Sequence, residues 1–322
     1  MPQAQTVGLA LVGCGQIANA HLEAAAALPQ VRLCHTEDND PDAARRAAER
    51  FGAPRWSSHY QQVLEDDQVD AVILCLPHDL HLPFTLEAAQ AGKHILVEKP
   101  MALDESESQQ MVAAAQAHGV QLSVGQSTRC MPAYQLAHHL LRQGRIGPVH
   151  HVLHQRAFYI EKLSTSWRRT QACGGLYLPL FGSHDVDALL WLLEDTPSRV
   201  WGSIRAVSPA SEGDSDGFIG LDFADGKLAS IAFSTTSRRD RTEMIFAGAE
   251  GTLSITRSKV MVDAEEVAID RTEPAFQLQL RLFAEALLAG REVPASGRQV
   301  LPVMRVLDLV RHASETGRAQ AF

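Results

Sequence analysis

A glycine-rich turn caught between an apolar run and an alanine-rich run restricts this chain more than any other feature. Val7 to Val12 suits a buried strand, Ile17 to Leu28 suits a helix, and Gly13-Cys14-Gly15-Gln16-Ile17-Ala18 joins them. In that setting the first glycine permits a tight turn and the second lets a pyrophosphate approach the backbone. The small Ala18 lets the helix pack closely, and the helix N-terminus stabilises phosphate charge. Gly13, Gly15, Gln16 and Ile17 are therefore candidate cofactor contacts, although the spacing alone also suits a turn that merely links strand to helix.

Asp38 favours the cofactor reading. It stands twenty residues after Ala18, at the end of the second strand-like run, where a carboxylate accepts from both ribose hydroxyls of NAD. A 2′-phosphate placed there meets like charge, so NAD is expected over NADP, with Arg45 and Arg46 nearby as the counter-argument. Glu37 and Asp40 compete with Asp38 for the role, and an acidic solvated loop also accounts for all three.

The first third of the chain repeats the same alternation. Val31 to His35, Val69 to Cys75, His94 to Val97 and Gln121 to Val124 read as strands. Pro41 to Phe51, Leu80 to Ala91 and Glu105 to His118 read as helices, the last opened by an Asp104/Glu107 capping pair. Near-continuous apolar strands alternating with helices predict an α/β Rossmann domain, a doubly wound parallel sheet covered on both faces. After Ser127 the pattern changes. A helix over Pro132 to Gln143 gives way to strand-like runs at Val149 to Phe158, Arg199 to Val207, Phe218 to Phe223, Leu228 to Thr235 and Glu243 to Ala247. Turns such as Ala224-Asp225-Gly226 between them predict an antiparallel sheet, and helices near Phe276 to Ala289 and Gln299 to Thr316 follow. The expected organisation is a dinucleotide-binding domain over 1–127 and an α+β domain for substrate and oligomerisation over 128–322.

Composition removes several function classes. Of 322 residues 45% are apolar and 21% charged, which suits a folded enzyme and excludes a disordered chain. The net charge of −9, with no basic run longer than Arg168-Arg169 or Arg238-Arg239, argues against a nucleic-acid partner. The longest apolar runs, such as Ala71 to Leu76, are far short of a membrane span, and Met1 to Thr6 carries no basic cluster, so neither a membrane partner nor a leader peptide is expected. Cys14, Cys34, Cys75, Cys130 and Cys173 are widely spaced with no CxxC pair, which predicts a reducing cytoplasm. His150 and His154 would share a strand face, but no carboxylate or thiolate stands beside them in sequence, so no metal is expected.

A third feature is Gly92-Lys93-His94-Ile95-Leu96-Val97-Glu98-Lys99-Pro100, a strand ending in a charged pair. In a doubly wound sheet such an end faces the ligand crevice, and a lysine there can hydrogen-bond a substrate hydroxyl. On the residues alone, a solvated surface pair is the simpler account.

With these motifs the chain resembles the Gfo/Idh/MocA family of NAD(P)-dependent sugar and cyclitol oxidoreductases from the first strand to the last helix. Glu98-Lys99-Pro100 matches the family's Glu-Lys-Pro signature. Leu76-Pro77-His78-Asp79-Leu80-His81 is an altered form of its threonine-proline-asparagine motif with a following histidine. Arg129 to Pro132, Gly144 to Gly147, Trp167-Arg168 and Gly248 to Leu253 resemble further family blocks. The resemblance implies cofactor contacts at Leu76, Pro77, His81, Glu98 and Lys99, and catalysis by Lys99 and His184. It also implies substrate binding by Lys99, Trp167, Arg168, His184 and Asp187, a sugar or polyol as substrate, and a homodimer or homotetramer built on the second domain's sheet.

The match is incomplete at one place. In Gly174-Gly175-Leu176-Tyr177-Leu178-Pro179-Leu180-Phe181-Gly182-Ser183-His184-Asp185-Val186-Asp187, His184 and Asp187 fit the family pattern, but Leu180 stands where relatives commonly carry an aspartate. A helix starting near Ser183 would put His184 and Asp187 on one face. Tyr177, Asp185 or Asp187 could replace the missing carboxylate. The expected activity is hydride transfer between nicotinamide and a secondary alcohol or ketone, with Lys99 polarising the oxygen and His184 acting as acid/base. Two alternatives, also drawn from relatives, are NAD-dependent glycoside hydrolysis through transient oxidation and a non-catalytic sugar-sensing regulator.

Overall fold

The structure is a computed structural model that describes residues 6–163, 165, 167–170, 173–270 and 273–322, with the side chain of Arg168 outside that description. Its elements begin with β1 (Val7–Val12), α1 (Ala18–Ala26), β2 (Val31–Glu37), α2 (Pro41–Phe51), β3 (Arg55–Ser57), α3 (Tyr60–Leu64), β4 (Ala71–Leu74), α4 (His81–Gln90), β5 (His94–Val97), α5 (Glu105–Ala117) and β6 (Leu122–Val124). There follow α6 (Pro132–Arg142), β7 (Val149–Tyr159), α7 (Ser183–Leu193), β8 (Arg199–Arg205), β9 (Asp216–Asp222), β10 (Leu228–Ser234), β11 (Thr236–Gly248), β12 (Thr252–Ile255), β13 (Val260–Val262) and β14 (Glu265–Val267). The chain closes with α8 (Ala275–Leu288), α9 (Gly297–Thr316) and β15 (Gln320–Ala321).

Two compact units emerge. One holds the chain up to Ser127 together with Glu273–Leu301, the other Thr128–Thr272 together with Pro302–Phe322. The first contains a six-stranded sheet in the order β3-β2-β1-β4-β5-β6, with parallel pairing throughout. Every residue of β1 and β4 is buried, as strands covered on both faces require. The Rossmann reading is correct, and the Asp104 cap is present, its side chain accepting from Glu107 N at 2.8 Å. The strand β3 and helix α3 escape sequence reading because three and five residues are too short to display a period.

The region expected to form one domain over 128–322 does not stay together. Residues 273–301 join the first unit because α8 carries an apolar stripe that α1 needs: Leu280, Phe283 and Ala284 share a core with Val7, Leu9 and Leu22. Beyond α8, Ser123 Oγ donates to Pro294 O at 2.7 Å and Val124 N to Ala295 O at 2.9 Å, fastening the returning chain beside β6.

The second unit holds a nine-stranded sheet ordered β14-β13-β12-β11-β7-β10-β9-β8-β15. Its pairs are antiparallel except β10 with β7. The Ala224-Asp225-Gly226 turn closes the β9–β10 hairpin, with Gly226 N donating to Phe223 O at 3.1 Å. Among the described residues, no helix is long and apolar enough to cross a membrane.

Candidate active site

The first unit gathers its predicted cofactor residues along one sheet edge. Register places Val12 beside Glu37 and Leu74, and carries that row on through Val97 to Val124. The next residues along these strands are Gly13, Asp38, Cys75, Glu98 and Gly125. All leave the carboxyl edge of the parallel sheet, where the chain reverses direction between β1 and β4 and ligands of this fold bind.

The two glycines of the turn have separate reasons. Gly13 has φ +87°, and a Cβ there would lie 2.4 Å from Cys75 O, so the protein's own packing demands glycine. A Cβ on Gly15 would meet nothing within 4 Å. The protein itself therefore places no demand on that position, which leaves room for a group from outside. The helix that follows starts at Ala18 without a side-chain cap, so no side chain covers its leading amides.

Asp38 is half-buried and fixed by two amides: Cys14 N donates to Oδ2 at 2.7 Å and Asp40 N to Oδ1 at 2.9 Å. Each oxygen retains a further lone pair, which suits a vicinal diol. Arg45 is engaged by Asp42 at 3.0 Å and Glu49 at 3.2 Å, and Arg46 lies 3.7 Å from Asp40, so neither is reserved for a 2′-phosphate. These residues fit a dinucleotide.

Leu76 and Pro77 are half-buried beyond β4, and Lys99 is half-buried beyond β5. Two other sequence candidates are placed differently from expectation. His81 is fully enclosed, with Nδ1 2.8 Å from Pro100 O and Nε2 3.1 Å from Leu76 O. Burial pushes the imidazole pKa down, and the ring holds two edge loops together rather than presenting an atom at the surface. Glu98 is also buried, its Oε1 2.8 Å from His21 Nε2 on α1 and its Oε2 accepting from Lys99 N at 3.2 Å. It ties the helix after the glycine turn to the residue expected to do chemistry.

In the second unit, α7 starts at Ser183 and carries His184 and Asp187 one turn apart. A π-helical turn, Leu178–Gly182, precedes it and contains Leu180, which is 8% exposed. Gly175 approaches with φ +106°, and a Cβ there would stand 2.0 Å from Asp214 Oδ1. That close approach lets Asp214 accept from Leu176 N at 3.1 Å and Leu178 N at 2.6 Å, setting the entry to the turn. Burial pushes the Asp214 carboxyl up to about 6.

His184 is half-buried. Asp187 has no exposure, and both its oxygens accept from Arg129. Trp167 is half-buried in a short 3₁₀ turn, while the Arg168 side chain lies outside the described residues.

Tyr177 and Asp185, named from sequence as possible substitutes for the missing carboxylate, belong to a buried polar cluster that sequence reasoning did not anticipate. Asp185 accepts from Tyr177 OH and from Arg156 Nη1 at 2.8 Å, and lies 3.1 Å from His154 Nε2. Burial works against the Asp185 charge, yet Arg156 and His154 hold its carboxyl well below the usual carboxylate range. Tyr177 stacks on Phe233 with ring centroids 3.8 Å apart. Only the three-dimensional pairing of β7 with α7 makes this cluster visible. Among the described residues, no group of three or more His, Cys, Asp or Glu side chains is placed to hold a metal ion.

The glycine turn, the acidic residue on β2 and the charged strand end together define a Rossmann unit suited to a dinucleotide. Comparison with known proteins sharpens this: residues 7–126 match the Gfo/Idh/MocA model described as oxidoreductase family, NAD-binding Rossmann fold, and residues 134–254 match the GFO/IDH/MocA C-terminal domain. The chain belongs to the Gfo/Idh/MocA family of NAD-dependent sugar and cyclitol oxidoreductases. It is 31% identical to the 1,5-anhydro-D-fructose reductase of Ensifer adhaerens over 71% of this chain and 70% of that protein. It is 28% identical to the scyllo-inositol 2-dehydrogenase (NAD(+)) of Bacillus subtilis, covering 88% and 87% of the two chains. The crystal structure of an aldose-aldose oxidoreductase from Caulobacter crescentus complexed with glycerol superposes with a TM-score of 0.91 at 25% identity, covering 99% of this chain and 100% of that one.

Proposed function

We propose that this enzyme interconverts a secondary alcohol and a ketone on a sugar, cyclitol or related polyol, with Lys99 polarising the reacting oxygen and His184 acting as acid/base. The observation that carries the reading is the position of Lys99, two residues beyond Val97 in the register row that Gly13 and Asp38 also leave. NAD, when bound, supplies the hydride acceptor or donor. The Lys99 ammonium offers three donors to a hydroxyl or carbonyl oxygen and favours the negative charge that develops on it. A ring nitrogen of His184 takes the hydroxyl proton in oxidation and returns it in reduction. Gly13, Gly15, Gln16 and Ile17 cradle the pyrophosphate, Asp38 binds the ribose and disfavours NADP, and Leu76 and Pro77 border the dinucleotide. Trp167 and Arg168 border the substrate. The names of the two relatives, one acting on an anhydro-ketose and one on a cyclitol, support the substrate class.

In this reading the first unit binds the dinucleotide, and the second binds substrate and builds a homodimer or homotetramer. All five cysteines are free, which suits a cytoplasmic setting. The test is a screen of cyclitols, aldoses and glycosides with NAD and NADP, following cofactor reduction and free-sugar release together, on the parent and on Lys99→Met. Reduction of NAD that falls at least about a hundredfold in the variant, with NADH affinity kept within a few-fold, is the expected result. Near-normal turnover by Lys99→Met removes Lys99 from the mechanism, and sugar release without net reduction replaces the reading with glycoside hydrolysis.

A further inference from the structure

The residue that ends β2 is Glu37, one position before Asp38, and the two acids are held in contrasting ways. Asp38 is fixed by two amides. Glu37 gives its backbone carbonyl to Gly13 N at 2.8 Å, which pins it beside the glycine turn, while the residue is only 6% exposed. Among the described residues, no lysine, arginine or histidine pairs with that carboxyl. The groups that face it are Asp38 on its own strand, the Cys14 thiol on the loop after β1 and the Tyr60 phenol on α3. Its register neighbours are Val12 on β1 and Ser57 on β3, neither of them charged.

A carboxyl enclosed this way, with an anion beside it and no compensating cation, resists ionisation; burial first, and the Asp38 charge second, push it up to about 7. Cys14 registers the Glu37 charge, and Cys14 lies between the two glycines expected to cradle the pyrophosphate. Ionising Glu37 therefore adds negative charge beside the place where the cofactor brings more.

We propose that Glu37 makes cofactor affinity depend on pH in this chain: neutral, it tolerates the phosphates at Gly13–Gly15, and ionised, it repels them, with NADP disfavoured more strongly than NAD. The inference rests on the reading that the glycine turn and Asp38 hold the dinucleotide. Linkage fixes the sign. An anionic ligand favours the protonated form of Glu37, so NADH binding takes up protons near and above neutrality and weakens as the pH rises.

The test is NADH and NADPH titration by fluorescence and calorimetry between pH 6 and pH 8.5, on the wild type, Glu37→Gln and Asp38→Asn. In the wild type, NADH dissociation should weaken about three- to tenfold across that range, with proton uptake visible as a dependence of binding heat on buffer ionisation. Glu37→Gln should show neither effect and should bind NADH more tightly than wild type at pH 8.5. Asp38→Asn should bind more weakly at every pH, with the slope kept but moved to lower pH, because the neighbouring charge that helps hold Glu37 protonated is gone. A wild type without slope or proton uptake overturns the proposal even if the Gln variant fails to fold, as does a Gln variant that retains the slope. If Asp38→Asn binds like wild type while Glu37→Gln loses binding, Glu37 is the ribose acceptor, and the reading beneath the proposal fails with it.

Discussion

Arg129 grips Asp187 with two parallel hydrogen bonds, Nε to Oδ2 at 2.8 Å and Nη2 to Oδ1 at 2.7 Å, in a setting where the aspartate is wholly buried. A bidentate pair of this kind leaves the carboxylate little capacity for a substrate hydroxyl. Its work is to join α7 to the segment that precedes α6. Asp187→Ala should therefore destabilise the second unit by about 3–5 kcal/mol, because the buried bidentate pair with the Arg129 guanidinium is lost. Urea unfolding measures that loss. Substrate KM in the folded fraction should stay within a few-fold of wild type, and a large KM increase at unchanged stability would return Asp187 to the substrate site.

The same pair shows where sequence reading stops. A helix from Ser183 and the i, i+3 relation of His184 to Asp187 follow from local pattern, and both are present. What holds the Asp187 side chain is Arg129, fifty-eight positions away, and no periodicity reports that. Gly13, Gly15 and Ala18 were legible because one local element, a strand-turn-helix, contains the whole of their meaning. His81 and Glu98 were legible as members of a motif but not in their roles, since their partners Pro100 O and His21 Nε2 are set by sheet order. The return of α8 to the first unit was hidden for the same reason: an apolar stripe announces burial without naming the surface it covers.

The outer face of the nine-stranded sheet leads to a test of assembly. Trp201, Gly220, Ser230, Leu153 and Ile245 lie in one cross-strand row, with Phe218 and Leu228 on neighbouring rows of the same face. Leu153 is 45% exposed, Trp201 40% and Phe218 39%. A central row of small and apolar residues, flanked on the same face by polar ones such as Gln155, Arg199 and Asp222, suits a second copy of the same sheet. Leu153→Arg should shift the protein to a smaller species in light scattering coupled to gel filtration, with unchanged far-ultraviolet circular dichroism. A wild type that is monomeric at micromolar concentration removes the assembly from the account.

Leu180 poses the sharpest question about the site, because the resemblance puts a carboxylate where this chain has an apolar side chain. The turn that carries it is largely apolar: Leu178, Pro179 and Leu180 are buried, and Phe181 meets Phe158 with ring centroids 4.8 Å apart. The local acid, Asp185, is already satisfied by Tyr177 and Arg156. An aspartate at 180 would thus enter a buried, largely apolar turn, where a carboxyl left unpaired costs about 1–3 kcal/mol. It would also place a negative charge near the helix that carries His184, favouring the protonated imidazole and removing the base. Leu180→Asp should lower thermal stability and reduce kcat/KM on the best substrate at least about tenfold, while NADH affinity, set in the other unit, stays unchanged. The outcome that defeats this account is a Leu180→Asp variant that oxidises ordinary polyols well while the parent oxidises none, since the site would then have lost a part rather than adapted to leucine.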